Sequence, residues 1–239
     1  MPVPDPLGDQ VKALESEWAA QVPPTMGLVV RLDGKGFSKW TRPFASPFDV
    51  RINTAFIAVT SAMMEEWRPD VGFTQSDEIT LMWYPNDPES TTEYPFGGKV
   101  QKLCSVLASH CTVLFNAEFD GHHTPALFDA RAFGALTRGD CDAAVAWRAA
   151  DAVRNGINSV AMSMFSARQL DGVSTRKRVE MLEAEGVDLD ADYLPHNRHG
   201  TFMQFETVTE MLSAERLAAI PEKYRPTEPV EHRRLTIVD

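Results

Sequence analysis

The chain has 239 residues, of which 44 % are apolar and 24 % charged, a composition typical of a soluble globular protein with one large core or two small ones. Its formal net charge of −11 argues against a surface that binds nucleic acid nonspecifically, because such binding depends on cations that neutralise phosphates, although a local basic patch is compatible with it. The 3 cysteines form no Cys-x-x-Cys pair, and no stretch approaches the roughly 18 apolar residues of a membrane span, so we expect a cytoplasmic protein without a disulfide framework, a thiolate zinc site or a membrane contact.

Helices and strands alternate along the chain. Helices are predicted at residues 9–20, 47–67, from about 98, 142–170 and 174–185, and strands at 28–32, 71–73, 79–84, 127–133, 200–205 and 234–238. The spacing lacks regular βαβ units, which favours an α+β fold with an antiparallel sheet. The order strand, helix, strand pair, helix, strand is typical of a ferredoxin-like sheet. We predict a single domain over residues 1–239, with a helical and extended C-terminal part from about residue 140.

Three carboxylates stand at predicted strand ends. The apolar run Leu28–Leu32 leads to Asp33 in a glycine-flanked turn, and Asp77 and Glu78 occupy the tight bend between the next two strands. In a ferredoxin-like sheet the first strand lies beside that hairpin, so Asp33 and Asp77 are predicted to face one another. Such carboxylates repel each other unless a cation joins them, and they suit Mg²⁺ or Mn²⁺ carrying phosphates. The alternative is a plain turn and a solvated hairpin tip.

Basic and amide side chains elsewhere are candidates for nucleotide contacts. Lys99 and Lys102 follow two glycines at the start of an amphipathic helix and can receive a triphosphate, although an exposed first turn fits equally well and the Walker motif is absent. Arg131, Arg148 and Asn155 can contact phosphate or sugar. The alternative is pairing within the chain, with the acids at positions 129 and 151.

Two further motifs carry weaker hypotheses. His122-His123 can ligate a metal but has no spaced partner, and Arg176-Lys177-Arg178 is either a solvated helix face or part of a nucleic-acid surface. No Ser-His-Asp or Cys-His constellation and no Gly-x-Ser-x-Gly motif is visible in the sequence. Hydrolysis through a covalent intermediate is therefore disfavoured.

Five motifs between residues 25 and 205 resemble, in their order, those of the tRNA-His guanylyltransferase family. They are Arg31-Leu32-Asp33-Gly34-Lys35-Gly36-Phe37, Gln75-Ser76-Asp77-Glu78, Phe128-Asp129-Ala130-Arg131, Trp147-Arg148-Ala149-Ala150-Asp151 and Arg198-His199-Gly200-Thr201-Phe202. Residues 159–166 of the long helix are most similar to those of the bacterial and phage-type 3′-to-5′ polymerase-like members.

The resemblance implies a palm-like domain similar to those of DNA polymerases and nucleotide cyclases. It implies that Asp33 and Asp77, with the Gly34 carbonyl, bind two Mg²⁺ ions, and that Glu78 supports them as a third catalytic residue. The nucleotide-binding residues that it implies are Arg31, Gly34, Lys35, Gly36, Phe37, Ser76, Lys99, Lys102, Arg131, Arg148 and Asn155. The family is commonly tetrameric, so a homotetramer is expected.

The implied reaction extends RNA at its 5′ end. ATP activates the 5′-monophosphate of a tRNA, and the 3′-hydroxyl of a nucleoside triphosphate such as GTP then attacks the adenylylated end. AMP leaves, and the RNA grows in the 3′-to-5′ direction.

Three positions depart from the family pattern. Ser38 replaces a histidine of the eukaryotic members, Ser46 replaces a frequent lysine, and Val153 begins the stretch that replaces a His-Ile-Asn-Asn box. These changes favour template-dependent 5′-end repair of tRNA or another RNA with an incomplete 5′ end over strict tRNA-His guanylylation. Two other readings stay open: a nucleotide cyclase-like enzyme acting on free triphosphates, and a catalytically idle module that binds RNA or nucleotide.

Overall fold

Six antiparallel strands form one sheet in the residues that the computed structural model describes, which are 6–17, 19–87, 93–119 and 124–238. The strands are β1 Gly27–Gly34, β2 Val71–Gln75, β3 Glu78–Trp83, β4 Phe128–Ala135, β5 Thr201–Glu210 and β6 Val230–Val238. Their spatial order is β4-β1-β3-β2-β5-β6, with every neighbouring pair antiparallel. The first four strands have the order of a ferredoxin-like sheet, which confirms the predicted α+β class.

Helices cover both faces of this sheet. They are α1 Pro6–Glu17, α2 Phe37–Trp40, α3 Val50–Trp67, α4 Val100–Ala117, α5 Arg138–Met164, α6 Ala167–Leu170, α7 Thr175–Ala184, α8 Leu189–Asp192, α9 Pro195–His199 and α10 Ala214–Ala218, with short 3₁₀ turns at Pro95–Gly98 and Glu222–Tyr224. Among these described helices, none has the length and apolar character needed to cross a membrane.

Alternate side chains of β1 point to opposite faces of the sheet and therefore pack against different helices. Val30 and Leu32 lie in the main core with side chains of α3 and α4. Val29 points to the opposite face and packs beneath α5. Because side chains alternate with a period of two, Arg31 and Asp33 share the face of Val29. The strand therefore presents its polar residues on the α5 side of the sheet.

The long helix begins and ends earlier than the sequence predicted. The expected range was 142–170, whereas α5 runs from Arg138 to Met164. Thr137 and Asp140 form a capping box, with bonds of 3.1 Å from Asp140 N to Thr137 Oγ1 and 3.0 Å from Thr137 N to Asp140 Oδ2. Ser166 and Gln169 form a second box that starts α6. Side-chain caps set both boundaries, and hydrophobic spacing alone does not reveal them.

The C-terminal strands widen the sheet. Residues 71–74 of β2 pair with residues 201–204 of β5, and β5 continues along β6 until Glu210 meets Val230. The two strands are longer than the predicted 200–205 and 234–238. The chain from Arg138 onward thus supplies helices α5 to α10 and two strands of the same sheet.

Candidate active site

The end of β1 lies against the turn between β2 and β3. Asp33 is opposite Glu78 in the register of β1 and β3, and Gly34 N donates a hydrogen bond of 3.0 Å to the Asp77 carbonyl oxygen. Ser76 has a φ of 51°, which turns the chain sharply between the strands. The structure therefore brings Asp33 to the Ser76-Asp77-Glu78 turn, in the place that the predicted sheet order gave it.

Glycines permit the turn that follows Asp33. A Cβ on Gly34 would lie 2.5 Å from the ring of Phe37, and Gly36 has a φ of 61°, in the left-handed region. Phe37 is buried in the main core, whereas Lys35 is exposed. The buried ring anchors this turn and so fixes the backbone that carries Asp33.

Two carboxylates meet at this turn, and the negative charge of Asp33 disfavours ionisation of Asp77. Asp33 and Asp77 are half-buried. Burial, reinforced by the negative charge of Asp33, raises the pKa of Asp77 to about 6. A proton or a cation relieves this repulsion.

The donors at this turn fit Mg²⁺, which prefers oxygen ligands and keeps part of its shell for water and substrate phosphates. They are the carboxylates of Asp33 and Asp77 and the carbonyl of Gly34. Within the described ranges, no group of three or more His, Cys, Asp or Glu side chains is arranged to hold a metal ion. The turn is therefore an open pair of carboxylates and not a closed protein cage.

Glu78 is held in a network of ion pairs above β3. It is buried and accepts hydrogen bonds from Arg148 Nη2 and, at 2.6 Å, from Arg148 Nε. Arg148 also pairs with Asp151 at 3.1 Å, and Arg31 Nε lies 3.9 Å from Glu78 Oε2. Burial raises the pKa of Glu78, and the hydrogen bonds and charge of Arg148 oppose that rise.

In this structure Arg148 shows the pairing within the chain that was the alternative to a contact with phosphate or sugar. Its guanidinium is bound to carboxylates of the chain, because α5 places it directly over the start of β3. The predicted alternative, pairing with Asp151, is present, and Glu78 is an additional partner. Glu78 therefore positions β3 and α5 relative to the turn.

Strand β4 places another carboxylate beside Asp33. Asp129 is opposite Asp33, and Arg131 is opposite Arg31, in the ladder between β4 and β1. Arg131 lies 4.0 Å from Asp129, and both side chains are exposed. Sequence reasoning weighed Asp129 only as a partner of Arg131. The sequence did contain a signal for this arrangement. The pattern Arg-x-Asp in β1 is reversed to Asp-x-Arg in β4, so antiparallel pairing places the two acids opposite each other and the two arginines opposite each other.

A cavity of about 520 Å³ opens beside Asp77. It is formed by the segment from α2 to the start of α3, by the turn between β2 and β3, and by facing sides of α5 and α9. Its lining residues include Phe37, Ser38, Thr41, Arg42, Phe44, Ser46, Phe48, Asp49, Ile52, Asn53, Gln75, Ser76, Asp77, Asn155, Gly156, Ser159, His196 and Asn197. This volume and the mixture of aromatic and polar walls suit a nucleotide.

Asp49 is a buried wall residue of this cavity that sequence reasoning did not select. Its side chain caps α3 by accepting a bond of 3.0 Å from Arg51 N, and it also accepts one of 2.7 Å from Arg51 Nη2. The bonds from Arg51 hold the pKa of Asp49 well below its usual range. A carboxylate satisfied in this way shapes the cavity and is a poor general base.

Helix α9 closes the cavity against α5. A Cβ on Gly156 would lie 2.4 Å from the carbonyl oxygen of Asn197, so the two backbones touch. Asn197 also accepts a bond of 2.6 Å from Asn53 of α3. Beside it, His196 is buried, its Nδ1 lies 2.8 Å from Thr201 Oγ1, and burial lowers its pKa to about 4.

The structure does not bring Lys99 and Lys102 to the acidic turn. Both lie at the start of α4. Near the other end of that helix, Thr112 accepts a hydrogen bond from Phe128 N, at the end of the sheet where Asp33 lies. Roughly 20 Å of helix separates the two places, and α4 packs on the face opposite α5. A triphosphate contact by these lysines would form a different site.

The other basic motif is engaged within the chain. Arg176 and Lys177 both pair with Glu180, and Arg178 donates a bond of 2.9 Å to Asn158. Arg176 and Lys177 therefore fit the solvated-face alternative, whereas Arg178 is half-buried against α5. His122 and His123 lie outside the described residues.

Comparisons with known proteins match this chain to a family model and to a viral protein. A sequence model described as tRNAHis guanylyltransferase matches residues 8–135, just over half of the chain. An uncharacterized protein of Acanthamoeba polyphaga mimivirus is 29 % identical over 204 residues, which cover 75 % of this chain and 70 % of that protein.

Solved structures share the fold. A bacterial tRNA(His) guanylyltransferase-like protein in complex with ATP superposes with a TM-score of 0.77 at 28 % identity, covering 83 % of this chain and 88 % of that one. Such a bacterial protein in complex with GTP gives 0.75 at 24 % identity, with coverages of 98 % and 91 %. The tRNA(His) guanylyltransferase of Saccharomyces cerevisiae gives 0.66 at 18 % identity, with coverages of 80 % and 91 %. The predicted palm-like fold is confirmed, and the chain belongs to the tRNA-His guanylyltransferase family and is a nucleotidyltransferase.

Proposed function

We propose that this enzyme uses Mg²⁺ to add nucleotides to the 5′ end of tRNA, or of another RNA with an incomplete 5′ end, in the 3′-to-5′ direction. The observation that carries the proposal is the meeting of Asp33 and Asp77 at one turn, beside a cavity of about 520 Å³. Bound nucleotides in the two bacterial structures, ATP in one and GTP in the other, support these substrates for the present chain.

The chemistry consists of two displacements at phosphorus. An oxygen of the RNA 5′-monophosphate attacks the α-phosphorus of ATP, so that a phosphoanhydride forms and pyrophosphate leaves. The 3′-hydroxyl of the incoming triphosphate then gives up its proton and attacks the RNA 5′-phosphorus. A phosphodiester forms, and AMP leaves.

The chain's own residues bind and orient these groups. Asp33, Asp77 and the Gly34 carbonyl would hold the Mg²⁺ ions, which supply neutralisation of phosphate charge and activation of the attacking hydroxyl. The paired Glu78 and Arg148 hold β3 and α5 in place around this turn. The cavity walls orient the base and exclude water, so that the bound nucleotide is held in the geometry needed for reaction.

The departures from the family pattern favour repair over strict guanylylation. Ser38 and Ser46 line the cavity that would receive a base. Val153 instead lines a separate cavity of about 580 Å³ beside α7 and α8. Changed walls at the base position are expected to loosen the choice of nucleotide, as template-dependent addition requires. The homotetramer and the cytoplasmic location stay predictions.

The test is incorporation of labelled GTP into a 5′-monophosphorylated, 5′-truncated tRNA with ATP and Mg²⁺. We expect Asp33→Asn and Asp77→Asn each to lower the rate by at least about 100-fold, because each removes charge that binds the ions. Asp171→Asn, a change at an exposed aspartate outside the site, serves as the matched control.

Each rival predicts a different product. A cyclase-like enzyme would convert free GTP or ATP to cyclic nucleotide without RNA. An idle module would bind RNA or nucleotide tightly and release neither pyrophosphate nor AMP. If no label enters RNA with the native protein, or if Asp33→Asn incorporates label as the native protein does, the proposal is wrong.

A further inference from the structure

A second surface leads to the same acids from the edge of the sheet. Helix α5 starts near Ala135, at the end of β4 that lies opposite the start of β1. It crosses the sheet toward β2, where Asn155 reaches Gln75. Within the described part of the chain, the α5 face of the edge strand β4 carries the exposed side chains of Asp129, Arg131 and Phe133 beside this helix. We call this exposed surface the open trough and define it by Arg31, Arg131, Phe133 and Trp147.

The floor of the open trough is an ordered series along β4. Asp129, Arg131 and Phe133 are two residues apart, so their side chains share the α5 face. The side chain of Arg131 is 57 % exposed, and Phe133 is 44 % exposed. An acid, a cation and an aromatic ring therefore follow one another outward from the turn that holds Asp33.

Two arginines of the open trough lie directly opposite each other. Arg31 pairs with Arg131 in the ladder between β1 and β4, and like charges in such positions destabilise a sheet. Among the described residues Arg31 Nε has no hydrogen-bond partner, since Glu78 is 3.9 Å away, and the Arg31 side chain is 19 % exposed. An anion that contacts the exposed part of Arg31 and the guanidinium of Arg131 would reduce this repulsion, and a phosphate has the matching geometry.

Trp147 forms the wall of the open trough. The next residue along α5, Arg148, reaches down to Glu78, which lies 3.9 Å from Arg31. The Trp147 ring contacts the Arg148 guanidinium and so lies on the side of the helix from which Arg148 reaches the sheet. Trp147 is 57 % exposed, and the Arg148 guanidinium lies 4.6 Å from its ring centroid. Because Arg148 is bound to Glu78, the ring is held in place without being covered.

We propose that the open trough binds unpaired RNA nucleotides next to the 5′ end that reacts. Bases stack on Phe133 and Trp147, and a phosphate lies between Arg31 and Arg131. Exposed aromatic rings interleaved with arginine are the usual means of holding single-stranded RNA. The net charge of −11 repels RNA from most of the surface, so such a local arrangement is needed. The inference rests on the proposed function for the identity of the RNA end.

The experiment compares two 5′-monophosphorylated RNA hairpins by fluorescence anisotropy, without ATP. One has a recessed 5′ end, which leaves unpaired nucleotides on the opposite strand, and the other has a blunt end. The native protein is expected to bind the recessed hairpin more tightly. Phe133→Ala and Trp147→Ala should each weaken that binding roughly 5- to 100-fold, with little effect on the blunt hairpin. Arg131→Gln should reduce the slope of log K against log salt concentration by about 0.7.

Matched variants separate stacking from folding. Phe133→Tyr and Trp147→Phe retain a stacking ring and should bind nearly as the native protein does. Tyr224→Ala removes an exposed ring outside the open trough and should change nothing. If Phe133→Ala does not fold, as judged by thermal unfolding, Phe133→Leu replaces it, because leucine retains the apolar contacts without a ring face.

Several outcomes would overturn the inference. Equal binding of the two hairpins would do so, as would native affinity in both aromatic variants. A lower molar mass of these variants in light scattering, with unchanged RNA binding, would identify the surface as an interface between copies of this chain.

Nucleotide incorporation is measured separately. RNA binding that depends on the two aromatic rings, without nucleotide incorporation by the native protein, would disprove only the proposed function. Nucleotide incorporation by the native protein, with native RNA affinity in the aromatic variants, would disprove only the RNA-binding role of the open trough.

Discussion

The paired Glu78 and Arg148 illustrate how a buried ion pair constrains single residues. Their side chains are 6 % and 12 % exposed, so removing one leaves the other charged in a poorly solvated place. We expect Arg148→Met to lower the free energy of unfolding by about 3–5 kcal/mol. Glu78→Gln in the same chain should restore part of this loss, with a coupling of about 1–3 kcal/mol. Urea unfolding of the four proteins in the cycle measures both quantities.

An exposed pair provides the control for this cycle. Lys177 lies 2.8 Å from Glu180, with side-chain exposures of 62 % and 45 %. Water already solvates both groups, so Lys177→Met should cost less than about 1 kcal/mol. Additive effects at Glu78 and Arg148 would show that their contact contributes no coupling.

At the residue scale, the sequence predicted the positions of those candidate catalytic residues that lie at the end of a strand. Asp33 and Asp77 were predicted to meet because each ends or follows a strand, and strand order then fixes their neighbours. The bond from Arg148 to Glu78 was not predictable in the same way. Helical spacing relates Arg148 to Asp151, but a contact with β3 depends on where α5 crosses the sheet.

Two glycines in α5 are expected to respond oppositely to the same change. Gly156→Ala would place a Cβ 2.4 Å from the Asn197 carbonyl oxygen, so α9 must move away from α5. A Cβ on Gly139 would meet only Thr137 Oγ1, at 3.7 Å, which is an ordinary contact. Alanine favours helix by up to about 1 kcal/mol over glycine. We therefore expect Gly139→Ala to be neutral or stabilising and Gly156→Ala to be destabilising by about 1–3 kcal/mol.

The readout for this pair includes the cavity as well as stability. Because α9 supplies Asn197 to the cavity wall, Gly156→Ala should also weaken GTP binding, whereas Gly139→Ala should leave it unchanged. Thermal unfolding and calorimetric titration with GTP measure the two effects. Equal behaviour of the two variants would contradict close packing of α9 on α5.

At the element scale, periodicity predicted the existence and order of the main strands and helices. It did not predict the ends of α5, because the capping boxes at Thr137 and Ser166 compete with helix continuation through side-chain bonds. It also did not locate Lys99 and Lys102. A glycine turn before a helix is compatible with phosphate binding, but only the packed structure shows which end of the sheet that turn faces.

For the molecule as a whole, two buried groups are expected to act in opposite directions on stability. The pKa of His196 is about 4 in the folded protein, below its ordinary value of 6.5. As the pH falls from 6.5 to 4, the unfolded chain takes up a proton that the folded chain does not, so stability falls. The pKa of Asp77 is about 6, above its ordinary value of 3.8. As the pH falls from 6 to 3.8, the folded chain takes up the extra proton, so stability rises.

These two effects should nearly cancel in the native protein, and single substitutions should separate them. In metal-free buffer, Asp77→Asn is expected to lose about 2 kcal/mol more than the native protein between pH 7 and pH 4.5, because the stabilising protonation of Asp77 is absent. His196→Gln should instead gain about 2–3 kcal/mol relative to the native protein over the same interval, because the destabilising protonation of His196 in the unfolded chain is absent. The double variant should follow the native profile, since both groups are then absent. Urea unfolding at the two pH values tests all four proteins, and parallel profiles would mean that neither burial nor Asp33 perturbs these groups in the folded chain.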